Sequence, residues 1–383
     1  MPEMEAILNL ATLASVRAEE ICLVSVVGVE GSSYRKPGAR MLLTRGGLRA
    51  GTISGGCLEA EVSKKAWWLT ENGASLQRYA SFFDEDSGVA YGLGCGGTVI
   101  LQLERGPAAQ AVLAALRFTV EQRQAAVVLT ELSESSPGTR LVMNEAGEIL
   151  YAAPGWSESQ LERAGQLARE TLFGGTRHVS LAVEGSSAEA SEIPLFCERI
   201  APPPALWIFG AGDDVQPLVE FAYDLGWHIT VVDGRSHLAR QERFPHAHRV
   251  LAVSPDELAT LNGEIGPGDA VVLMTHSYEQ DRTLLGQLLP RPLGYLGILG
   301  PRSRTLHILK QLTRPGTGAL PLTLDEAVAR IYSPVGLDIS AHTPAAIALS
   351  IAAEVQAALA APADGGNPKL RPSAPSTTDH ASS

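Results

Sequence analysis

The stretch IFGAGDDVQPLVEFAYDLGWHITVVDGR, Ile208 to Arg235, decides the fold of the second half of the chain. An apolar run ends in Gly210 and Gly212, a helical pattern follows, and a β-branched run ends in Asp233, about 20 residues on. Glycines at such a turn let backbone approach a pyrophosphate at a helix N-terminus, and an acid at the tip of the second strand can accept from ribose hydroxyls. The third glycine of the fingerprint is replaced by Val215, and Asp213 and Asp214 occupy the helix start. Carboxylates there satisfy the free N–H groups themselves and repel a phosphate, so Asp233 is the stronger ligand candidate.

The same rhythm extends outward from this unit. LWIFGAG, HITVVDG, HRVLAV, DAVVLMT and GYLGILG are short apolar runs separated by helical stretches. Strands buried on both faces with crossovers between them predict a Rossmann-like, doubly wound parallel sheet over residues 205–361. Two further loops fall on its ligand-binding edge. One carries His276, and the other, GPRSRT, carries Arg302 and Arg304 at a helix start.

The proline-rich joint at Ala201 to Ala205 separates this half from an N-terminal mixed α/β domain, residues 1–200. Its strands are ICLVSVVGV, ARMLLTR, GTVILQLE and AAVVLTEL, and helical patterns cover residues 107–122 and 157–173. No internal repeat is visible in the sequence. The tail at 362–383, rich in Pro, Ser and Gly, is expected to be disordered.

A net charge of -12 excludes a general nucleic-acid or anionic-membrane binder. The N-terminus lacks the basic start and apolar run of a signal peptide, and the apolar segment Pro344 to Ala361 is interrupted by Glu354 and Gln356, so no membrane insertion is expected. The four cysteines stand singly, without CxxC, which points to a cytoplasmic location rather than a disulfide framework or zinc knuckle.

Two of those cysteines have glycine neighbours. Cys57 follows Ser54, Gly55 and Gly56 and opens a helical stretch, whose free N–H groups favour a thiolate. Cys95 lies in YGLGCGG, where a ligand can approach the backbone closely. Upstream, GSSYRKPGARML supplies Ser32, Ser33, Arg35, Lys36 and Arg40, the densest basic cluster of the N-terminal half. Together these suit an anionic, sulfur-rich guest, with Cys57 and Cys95 as soft-metal ligands. Cys22 and Cys197 read as core residues.

GSSYRKPGARM, GTISGGCLEAEV and YGLGCGG, followed in order by FGAGDD, TVVDGR, MTHSYEQD, GILGPRSR and GLDISAHTPAAIALSIAAE, resemble the XdhC/CoxI family over nearly the whole chain to about residue 358. The chain departs from that pattern at Asp213, where relatives have histidine, and at Ala345 and Ala346, where acids are common. The resemblance implies a cofactor-maturation chaperone that binds molybdenum cofactor (molybdopterin), with enzyme status left open. It also implies sulfuration of that cofactor through contact with a cysteine desulfurase, and delivery to a molybdoenzyme of the xanthine dehydrogenase or carbon monoxide dehydrogenase class. On it, Cys57 is a candidate for holding the cofactor or passing sulfur, and Cys95 matches the second glycine-rich segment; with the residues read above, Arg35, Arg40, Ser54, Gly55 and Gly56, they form the expected cofactor-binding set. Gly210, Gly212, Asp233, His276 and Arg302 are expected at the Rossmann ligand, NAD(P) or another nucleotide. Two competing classes are an NAD(P)-dependent oxidoreductase using Asp233 and His276 and a nucleotide-sensing scaffold. Isolated strands at domain edges favour a homodimer.

Overall fold

The computed structural model describes residues 2–80, 97–133, 137–154, 156–183, 191–254, 257, 261, 263–316 and 320–360, the side chains of residues 57 and 191 excepted. Cys95 and the tail from residue 362 lie outside the described residues. The chain divides between Pro203 and Pro204 into two compact units.

In the first unit, α1 (Glu3–Val16) leads into β1 (Ile21–Glu30), β2 (Arg40–Thr44), β3 (Arg49–Gly51), α2 (Cys57–Leu69), β4 (Ser75–Ala80) and β5 (Thr98–Glu104). Then α3 (Gly106–Gln122) leads into β6 (Ala126–Glu131), β7 (Arg140–Asn144), β8 (Ile149–Ala152), α4 (Glu158–Gly174), β9 (Arg177–Val183) and β10 (Ser191–Ile200). The two antiparallel sheets have orders β3-β2-β1-β5-β4 and β8-β7-β6-β10-β9, which is one topology used twice. The chain therefore does contain a structural repeat, contrary to the expectation from sequence.

The registers match as well. Ser25 pairs with Arg40 as Thr130 pairs with Arg140, and Leu23 pairs with Glu104 as Val128 pairs with Glu198. The counterparts then cross over. Arg40 pairs with Glu198 of the second repeat, and Arg140 with Glu104 of the first at 2.5 Å, all four side chains buried. Each arginine also donates to the carbonyl of a preceding glycine, Gly38 or Gly138, and both glycines have left-handed φ.

Apolar side chains from α1, α3 and the inner sheet faces fill the space between the repeats, including Ile7, Leu10, Leu23, Leu42, Leu116, Val128 and Val142. The outer faces carry α2 and α4. Leu58, Val62 and Ala66, one helical stripe of α2, pack over Val24, Val26 and Leu101. Cys22 and Cys197 are fully buried, and that burial pushes each thiol up to about 11, so both are inert core residues.

The second unit carries β11 (Ala205–Phe209), α5 (Gln216–Asp224), β12 (His228–Val232), β13 (Arg249–Leu251), β14 (Ala270–Leu273), α6 (Tyr278–Leu288), β15 (Tyr295–Ile298), α7 (Arg302–Leu312), α8 (Leu324–Ala329) and α9 (Pro344–Ala360). The sheet order is β13-β12-β11-β14-β15 and every pairing is parallel, which is the Rossmann arrangement expected from the five apolar runs. One core layer lies under α5 and α9, the other under α6, α7 and α8. No helix among the described residues is long and apolar enough to cross a membrane.

Candidate functional site

Antiparallel pairing decides which loops of the first unit meet. Because β1 ends where β2 begins, β3 ends opposite Met41, and β4 ends opposite Thr98, the segments 31–39 and 52–56 leave one edge of the same sheet, and Ala80 and Gly97 lie at that edge. Two of the sequence motifs, and Gly97 of the third, are thus at a single edge. Contacts bear this out. Tyr34 lies at van der Waals distance from the position a Cβ would take at Gly55, and the backbone of Gly97 is pressed against Glu30 and Ser32. Glu3 ties two of the loops together, accepting from Arg35 at 2.5 Å and from the Thr52 amide at 2.8 Å.

The α2 entrance is built on one buried acid. Glu59, 2% exposed, accepts from the amides of Ile53 (3.0 Å) and Ser54 (2.8 Å) and from the Ser54 hydroxyl (2.6 Å). Ser54 Oγ in turn accepts from the amides of Gly56 and Leu58. Burial raises the Glu59 carboxyl, but the bonds from Ser54 and Ile53 outweigh it and hold the group below the ordinary value. The network fixes the turn, so that Gly56, at φ 114°, is the helix N-cap without a capping side chain of its own. Gly55 and Gly56 are exposed, and a Cβ on Gly56 would meet nothing within 4 Å among the described residues. In the second repeat the equivalent entrance is closed, because Ser157 and Gln160 form a capping box at the start of α4. Cys57 opens α2 on the open entrance. Its side chain and the whole of Cys95 lie outside the described residues.

The basic residues behave differently from one another. Arg35 is held at this edge by Glu3. Arg40, expected at a ligand, is corrected by its surroundings: its guanidinium is buried between the repeats against Glu198. Tyr34, Glu3 and Glu59 were not singled out from sequence. A Ser54 hydroxyl followed by an acid in the first helical turn is a variant of the capping signature and was the available signal for Glu59.

In the second unit, Gly210 is required by packing: φ is 125° and a Cβ would overlap the Met274 carbonyl. A side chain at Gly212 would collide with the Asp214 carboxylate. Asp213 pairs with Arg243 at 2.6 Å, and Asp214 accepts from His276 Nε2 at 2.8 Å, with His276 in the left-handed region at φ 57°. This last bond spans the loops after β11 and β14, the two strands between which the strand order reverses. Arg302 is exposed at the start of α7, while Arg304 is bound to the buried Asp281 at 2.7 Å.

Asp233 accepts four bonds. Oδ2 takes the Ala211 amide (2.8 Å) and Arg235 Nη2 (2.7 Å), and Oδ1 takes the Arg235 amide (2.8 Å) and Nε (2.9 Å). Those bonds use the full acceptor capacity of a carboxylate, so a ribose hydroxyl reaches Asp233 only by displacing Arg235. The acid joins two turns of the sheet edge. Replacing Asp233 by Ala is expected to destabilise the Rossmann unit by about 2 kcal/mol, the range for hydrogen bonds to a charged group, read as a lower unfolding midpoint in urea.

Comparison with known proteins agrees with this division. The XdhC Rossmann domain family model matches residues 206–355, and the XdhC and CoxI family model matches residues 15–80. A Bacillus subtilis protein, named as a probable xanthine dehydrogenase subunit, is 30% identical over 88% of this chain and 92% of its own. The chain belongs to the XdhC and CoxI family. An Escherichia coli relative in the comparison, the molybdenum cofactor insertion chaperone PaoD, is 24% identical over 91% of this chain and 86% of its own. The crystal structure of a Bacillus halodurans xanthine dehydrogenase superposes with a TM-score of 0.73 at 28% identity, covering 94% of this chain and 96% of that one. The residues 15–80 matched to the XdhC and CoxI family include the loops 31–39 and 52–56, with Tyr34, Arg35, Cys57 and Glu59.

Proposed function

We propose that this protein is an accessory chaperone that holds molybdenum cofactor at the entrance of α2 and passes it to a molybdoenzyme of the xanthine dehydrogenase or carbon monoxide dehydrogenase class. One observation carries the reading: Tyr34 meets Gly55, and Gly97 meets Ser32, at one sheet edge beside a helix start whose N-cap is an exposed glycine and which bears a cysteine. The names of the Bacillus and Escherichia relatives support it.

The residues suit such a cargo. An anionic, sulfur-rich pterin meets the open backbone of Gly55 and Gly56, an aromatic face at Tyr34 and a guanidinium at Arg35. Cys57, as thiolate, supplies a soft donor toward molybdenum, and Cys95 a second. Addition of the terminal sulfido ligand by a cysteine desulfurase belongs to the same reading, because a cargo held at a sheet edge stays reachable by a second protein. Nucleotide binding at the Rossmann unit is not part of it, since Asp233 is already committed to Ala211 and Arg235.

Coexpression with a molybdoenzyme of this class tests the proposal. Wild type is expected to raise the molybdenum content and activity of the partner, and Cys57→Ala, at equal abundance, to leave both at the level reached without the accessory protein. Full support of the partner by Cys57→Ala would overturn the assignment of the α2 entrance.

A further inference from the structure

The two repeats differ at one place on their shared inner face. In the first repeat, Arg40, Ser25 and Gln102 stand side by side across three strands, with Glu104 two residues beyond Gln102 on the same face. All four are nine-tenths or more buried. Among the described residues, Ser25 Oγ, Arg40 Nε, both polar atoms of the Gln102 carboxamide and Glu104 Oε1 have no protein partner. A native interior pairs its buried polar groups with protein or with ordered water, so such a concentration of them in one row calls for an occupant.

Among the described residues, the second repeat lacks this set of unpaired groups. There Phe196 takes the position of Gln102, its ring centroid 5.2 Å from that of His178, and Thr130 takes the position of Ser25. Neither Thr130 nor Arg140 appears among the unpaired buried atoms. Opposite Gln102 and Glu104 the second repeat presents Gly138, where a Cβ would come within 3.1 Å of Gln102 Nε2 and 3.3 Å of Glu104 Oε2. The glycine therefore keeps a side chain out of this space.

We propose that internal water sits between the repeats at this position, bridging Ser25 Oγ, the Gln102 carboxamide and Glu104 Oε1. The donor set selects the occupant. Unpaired donors (Arg40 Nε, Gln102 Nε2) and acceptors (Gln102 Oε1, Glu104 Oε1) belong to neighbouring residues of one sheet face, so a guest there both donates and accepts. An anion meets the Glu104 carboxylate, and a metal cation meets the guanidinium of Arg40 and the amide hydrogens of Gln102. Water meets neither objection, and the row offers the two to four polar partners it needs. The water lies on β5, whereas the counterpart strand β10 carries Phe196 in place of Gln102.

A high-resolution crystal structure of the full chain is expected to show solvent density at hydrogen-bonding distance, about 2.7–3.2 Å, from Ser25 Oγ and the Gln102 carboxamide. Finding these atoms bonded to a protein group, residues 81–96 included, or finding no density there, would overturn the proposal. In solution, oxygen-17 relaxation dispersion is expected to lose about one or two long-lived waters in the Ser25→Ala, Gln102→Met double variant relative to wild type. An unchanged dispersion from a folded double variant counts against it. If that variant fails to fold, the wild-type density decides alone.

Discussion

Replacing Arg140 by Met is expected to lower the stability of the N-terminal unit by about 3–5 kcal/mol, the usual cost of stranding one member of a buried ion pair. Arg140 and Glu104 are among the most deeply buried charges in the protein, with side chains 2% and 0% exposed. Burial raises the Glu104 carboxyl, and Arg140 is the first of the groups that oppose this rise. Without Arg140, Glu104 retains its desolvation cost and loses its compensation. The double variant Arg140→Met, Glu104→Leu removes both charges and is expected to recover most of the loss, because a well-packed apolar pair at such a site is often as stable as the ions. Urea unfolding of the four proteins in this cycle measures the coupling. Single losses that simply add would contradict the crossed-pair account of how the repeats are locked.

Glu59→Ala is expected to cost about 2–4 kcal/mol, since it strips a charged acceptor from three buried donors at once. Those donors are the Ile53 amide and the amide and hydroxyl of Ser54. The wild-type protein carries the same dependence on pH. A carboxyl held below its ordinary value contributes stability that is fully present above its unfolded pKa of about 4.3 and is lost as pH falls through the folded pKa. Hydrogen exchange at the amides of residues 53–58 is expected to accelerate in Glu59→Ala at neutral pH and in wild type only in acid. Equal protection in both proteins at neutral pH would show that Glu59 does not hold the α2 entrance.

How much of this was legible in the residues depended on burial. Strands of the parallel sheet are covered on both faces, so β11, β14 and β15 stand out as apolar runs and β12 as a β-branched one, and the Rossmann unit is readable from sequence. In the first unit, β1, β2, β5 and β6 are equally apolar and equally plain. Its other strands hide their pattern. β4 is SLQRYA on an edge, β8 is four largely exposed residues, and β10 carries Pro194 and two glutamates.

The repeat escaped notice for a related reason. Between its halves, the clearest shared signature is Pro-Gly-x-Arg, at Pro37 to Arg40 and Pro137 to Arg140, and the arginine partners lie far along the chain in β10 and β5. Glycine and cysteine patterns single out the segments of the candidate site. They could not say that Arg40 faces inward, because a basic residue after a turn reads the same whether it meets solvent or a distant glutamate. Nor could Asp233 be told from a ribose acceptor, since its competitor Arg235 is only two residues away and its bond to Asp233 depends on the turn.

Direct binding tests the central claim. Molybdenum cofactor, released from a molybdoenzyme, would be titrated against wild type, Cys57→Ala and Asp233→Ala, with bound pterin and molybdenum counted after rapid gel filtration. The account predicts stoichiometric retention by wild type and Asp233→Ala, and affinity at least about tenfold weaker in Cys57→Ala, the factor given by losing 1.4 kcal/mol. Retention unaffected by Cys57→Ala but abolished by Asp233→Ala would contradict it and move the cargo to the Rossmann edge.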